Sequence, residues 1–77
     1  MDLQQTLNKI KRIIGELFDL LIKKQLDGLD ENDKKRIKDI KSELNKILDN
    51  LNKNDVKVSI IQKAIQLAEE LIDELEN

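Results

Sequence analysis

Apolar residues recur along this chain with a helical period. Leu3, Leu7, Ile10, Ile14, Leu17 and Leu21 succeed one another at steps of four and three, which gathers them on one side of a helix at about 100° per residue. The pattern predicts a first helix over about residues 2–27. Ile37, Ile40, Leu44, Ile47 and Leu51 repeat it on a narrower stripe, with Leu48 alongside, and predict a second helix over about 31–51. Val58, Ile61, Ile65, Ala68, Ile72 and Leu75, flanked by a second row of Ile60, Ala64, Leu67 and Leu71, predict a third over about 55–76. A rival start for this third helix lies at Ser59, which with Gln62 has the spacing of a capping box. The reach of the heptad back through Val58 favours the earlier start.

The corners between these segments carry their own signals. Gly28 stands where a left-handed residue ends a helix, and Leu29 can fold back over the apolar end. Asp30 then has the place of an N-cap, with Asp33 three residues on as its capping-box partner. The same acidic stretch fails as a calcium loop. Counted from Asp27, the positions that need a carboxylate, a glycine and a glutamate hold Leu29, Asn32 and Lys38; counted from Asp30, the last two hold Lys35 and Lys41. Residues 50–55, NLNKND, supply the second corner, since asparagine tolerates the left-handed conformation and Asn54 or Asp55 can cap the third helix. Corners this short force successive helices to run antiparallel. The expected fold is all-α, an antiparallel up-down-up three-helix bundle in one domain over residues 1–77, with a single leucine and isoleucine core.

Composition changes this picture only by exclusion. Thirty-nine per cent of the 77 residues are apolar and thirty-nine per cent charged, which suits amphipathic helices that fold. With no cysteine there is no disulfide framework and no thiolate metal site. No apolar run approaches the length of a membrane span, so a cytoplasmic location is the default expectation and no membrane partner is expected. The net charge of −2 gives no general pull toward nucleic acid.

The cationic tract KKRIKDIK at 34–41 points its charges in several directions around a helix, and Phe18, the one aromatic residue, lies on another helix. No nucleic-acid partner is therefore expected. Up-down-up topology instead sets Lys34, Lys35, Arg36, Lys38 and Lys41 near Glu69, Glu70, Asp73, Glu74 and Glu76 at the end of the third helix. Pairing between these two clusters is the expected arrangement. It would select helix order more than add stability.

Chemistry is hard to assemble from the remaining residues. Without histidine or cysteine, no nucleophilic triad can be built, and Thr6, Ser42 and Ser59 are the side-chain hydroxyls. No metal and no cofactor is expected, because bundle metal sites need inward histidines or carboxylates, and the chain has no histidine and few acidic residues within its apolar stripes. A carboxylate pair among Glu69, Glu70, Asp73 and Glu74 would need a pocket to shift its titration, and they read as a solvated helix face. The expectation is a protein that is not an enzyme.

Two features stand outside the heptads. Gly15 lies mid-helix, where it costs about 1 kcal/mol relative to alanine; the expectation is that a neighbouring helix approaches closely there. The first helix is also apolar over more than one stripe, with Ile13 and Leu20 on one edge and Phe18, Ile22 and Leu26 on the other. If the Gly15 side seals the core, then Ile13, Leu20, Ile60 and Leu67 form the candidate interaction face, for a homodimer or a partner helix. The favoured alternative is a monomer in which both wide helices build most of the core and the second lies in their groove.

Heptads at 3–21, 37–51 and 58–75, the cap signals of residues 27–33, the balanced charges and the missing residue types resemble those of de novo designed three-helix bundles as a class. That resemblance covers the whole chain and implies a compact scaffold without a natural biochemical function. Gly15 and the asparagine-rich NKILDNLNKND depart from it and suit a natural protein from an AT-rich genome, in which a small interaction or regulatory module is the corresponding reading.

Overall fold

A computed structural model describes residues 2–77. Three helices succeed one another in order, α1 over Leu3–Leu26, α2 over Glu31–Lys53 and α3 over Ser59–Glu76, joined by tight corners in the up-down-up arrangement. Asp2 caps α1, its carboxylate accepting from the backbone N–H groups of Gln4 and Gln5. The N–H groups of Asp27 and Gly28 then both donate to the Lys23 carbonyl (2.8 and 3.1 Å), and Gly28 turns the chain at φ +83°. At the start of α2, Asp30 accepts from the Asp33 N–H (2.9 Å) while the Asp33 carboxylate accepts from the Asp30 N–H (3.1 Å). This reciprocal box satisfies two donors that a bare helix end leaves open. Leu29, between the two signals, packs against the core.

The second corner departs from the sequence expectation, because α3 begins at Ser59 and not at 55. Asp55 takes the left-handed conformation (φ 51°), its N–H donates to the Asn52 carbonyl (3.2 Å), and the Val56 N–H donates to the Leu51 carbonyl (2.9 Å). These are the two bonds of a Schellman stop. Val58 stays extended (φ −101°, ψ 120°) as the N-cap of α3 and gives no side-chain cap. It continues the heptad without being helical: Val56 and Val58 both pack against the core from before the helix, Val58 from extended backbone, which β-branched residues favour. Ser59 is the first residue of the helix and does not cap it.

One core runs the length of the molecule. Ile10, Ile13, Leu17 and Ile40 are almost entirely enclosed, with Leu44, Ile65 and Ala68 buried around them and Ile14 half-buried at the margin. Burying a side chain of this size contributes roughly 1.5–3 kcal/mol. α1 packs mainly against α3, and α2 lies against the pair along its narrow stripe of Ile37, Ile40, Leu44, Ile47 and Leu51. Among the described residues no buried side-chain polar atom lacks a hydrogen bond, and no helix is long and apolar enough to cross a membrane.

Candidate interaction face

The two edges of α1 have different neighbours, and charges show which is which. Arg12 pairs with Glu43 (3.3 Å), Glu16 pairs with Arg36, and Lys23 pairs with Asp33 (2.7 Å) and Asp30 (3.5 Å). Arg12, Glu16 and Lys23 share one side of α1, so this side faces α2. Ile13 and Leu20 border it. Ile13 is accordingly 1% exposed and Leu20 half-buried, which removes Ile13 from the candidate interaction face and leaves Leu20 at its margin. Ile60 and Leu67 are exposed, at 60% and 40%.

The open edge is the other one. Phe18, Ile22 and Leu26, expected to help close the core, stand 46%, 56% and 76% exposed. Gly15 lies on the same edge, three residues before Phe18. A Cβ built on it meets no atom within 4 Å, so no helix of this chain approaches there and the expected packing role is absent. The signal for this assignment is present in the sequence as complementary charge: Arg12, Glu16 and Lys23 stand level with Glu43, Arg36 and Asp33, each of opposite sign.

Both exposed sets lie on one side of the molecule. Leu21, Lys24, Gln25, Glu74 and Asn77 line a single surface groove between α1 and α3. Steps of seven residues from Gln25 reach Phe18 and Lys11; the same steps from Glu74 reach Leu67 and Ile60. A seven-residue step turns a helix by only about 20° from its starting direction, so all six share the outer face of the α1/α3 pair, opposite α2. At the top of this face Lys24 holds the two helices together. Its Nζ donates to the carbonyls of Glu74 (2.6 Å), Asn77 (3.0 Å) and Leu75 (3.3 Å), a cation on the negative end of α3. Comparison with family models, curated proteins and solved structures gives no match.

Electrostatics elsewhere differ from the expected cluster pairing. Among the described residues, Lys41 with Glu76 (3.0 Å) is the one ion pair between the α2 cations and the α3 acids, because Arg36 turns to Glu16 and Lys34 to Glu31. Arg36 of α2 thus pairs with α1 and not with α3. The Lys23–Asp33 hydrogen bond holds the Asp33 carboxyl below its ordinary value and raises the Lys23 ammonium above its own. These two groups belong to the corner between α1 and α2, away from the open face. The acids Glu69, Glu70, Asp73 and Glu74 are all exposed, and no group of three or more potential metal-ligating side chains occurs among the described residues.

Proposed function

We propose that this chain works by protein–protein contact and not by catalysis, offering the outer face of α1 and α3 to another protein surface. One observation carries the reading. Every large apolar side chain that stands exposed among the described residues, Leu3, Phe18, Ile22, Leu26, Ile60 and Leu67, belongs to α1 or α3, and none to α2. Scattered exposed leucines need no explanation, but a one-sided set aligned along two adjoining helices is the arrangement that contact surfaces use. A helix face of this kind accepts another apolar helix face through side chains at steps of three and four.

Photo-crosslinking tests it. With p-benzoylphenylalanine in place of Ile22 or Leu67, protein adducts are expected; the same group in place of Lys46, on the exposed side of α2, gives none. Adducts in equal yield from all three positions, or from Lys46 alone, would sink the proposal. A second reading, a compact scaffold without natural biochemical function, draws support from the local agreement at residues 27–33, where stop, turn and capping box coincide. It predicts no specific adduct from any position.

A further inference from the structure

We infer that the occupant of the α1/α3 face is a second copy of this chain, docked antiparallel about a two-fold axis that passes beside Gly15 of α1 and Leu67 of α3. The inference rests on the contact reading above and names the partner.

Charge is the first argument. Lys11 and Lys63 lie on the face toward the starts of α1 and α3, whereas Glu70 and Glu74 lie on it toward the end of α3. All four are exposed, and none makes an ion pair among the described residues. The charges that face α2 behave otherwise, since Arg12, Glu16 and Lys23 are all paired. A face positive at one end and negative at the other is complementary to itself when turned end over end. A two-fold axis lying in the interface, across the helices, performs that rotation and sets α1 against α1 and α3 against α3. About a centre near Leu67, Lys63 then falls opposite the interval between Glu70 and Glu74 of the other copy. On α1 the matching centre is Gly15. The two centres agree in height, because Lys24 of α1 lies level with the end of α3. A parallel dimer would instead bring like charges to the same height.

The glycine is the second argument, independent of charge. Gly15 interrupts an otherwise apolar row with Phe18 and Ile22, and nothing within the single chain uses its missing side chain. At the crossing point of two antiparallel helices a glycine lets the backbones approach closely, and the symmetric centre is where two such residues meet. Size is the third. A face about 27 Å long, from the 18 residues of α3, and roughly 20 Å across gives about 1,000 Å² buried between two copies, the lower end for a specific interface.

Sedimentation equilibrium of the full chain from about 1 μM to about 1 mM is the test, with circular dichroism confirming that each variant is folded. The expected result is a monomer–dimer equilibrium. Lys63→Glu should raise Kd roughly tenfold or more through like-charge contact, and adding Glu70→Lys with Glu74→Lys should bring it back. Copies carrying Lys63→Cys mixed with copies carrying Glu70→Cys should form the mixed disulfide in preference to either homodimer. A strict monomer at about 1 mM overturns the inference, and the contact reading then stands or falls on its own crosslinks. A dimer that ignores Lys63→Glu, or that the charge exchange does not rescue, overturns the antiparallel arrangement, as do crosslinks that join only a different protein.

Discussion

Replacing Gly15 by alanine should stabilise the isolated chain. Gly15 sits near the middle of α1, far from either frayed end, so its extra backbone freedom in the unfolded chain is lost in full on folding. Alanine removes about 0.8–1.0 kcal/mol of that penalty in a helix interior. The added methyl meets no atom within 4 Å, so no packing strain is set against the gain. For a domain of this size about 1 kcal/mol raises Tm by roughly 4–8 °C. The measurement is thermal unfolding by circular dichroism at about 1 μM chain, with urea unfolding to check that the slope with denaturant is unchanged. A Tm that stayed level or fell would refute the reasoning. It would mean that some part of the chain packs on the Gly15 backbone, or that α1 is not continuous through this residue.

Other outcomes rest on named contacts. Leu17→Ala, at a fully enclosed position, should lose about 2–5 kcal/mol, a large share of the stability of so small a domain, and be read from a lower urea midpoint. Asp33→Ala breaks the capping box and the Lys23 pair together. The depressed Asp33 value means that its contribution is present above the unfolded value of 3.8 and is lost as pH falls through the lower folded value. The raised Lys23 value means that its contribution is complete below 10.5 and is lost as pH rises through the higher folded value. The Tm gap between wild type and Asp33→Ala should therefore shrink in strong acid; a gap independent of pH would contradict the pairing. Lys24→Met should leave the fold intact and speed amide exchange in the last turn of α3, at a cost of about 0.3–1 kcal/mol. Asp55→Gly should raise stability by up to about 1 kcal/mol, since it relieves a left-handed residue at the α2 stop, and a higher urea midpoint is the readout.

Much of this molecule is legible from residue order because neighbouring signals agree. Gly28, Asp30 and Asp33 fix the first corner by local bonding alone, and the α2 stripe admits one buried face. The start of α3 is not legible in the same way. Val58 satisfies the heptad from an extended conformation, and a period cannot distinguish a side chain that reaches the core from a helix from one that reaches it from the loop before. Periodicity leaves Ile13 undecided because a helix apolar over much of its circumference leaves open which edge a third helix covers. Hydrophobicity cannot decide that; Arg12 and Glu16, set against Glu43 and Arg36, can. Gly15 misleads because a mid-helix glycine signals close approach without saying by what.

The dominance of α1–α3 packing bears on how the protein is made. The last residue of α3 comes about 50 positions after the end of α1. At a synthesis rate of roughly 5–20 residues per second, α1 waits some seconds before its main partner leaves the ribosome. During that interval the nascent chain holds a greasy amphipathic rod with only α2 to shelter it, which makes α1 the segment on which a chaperone would first settle.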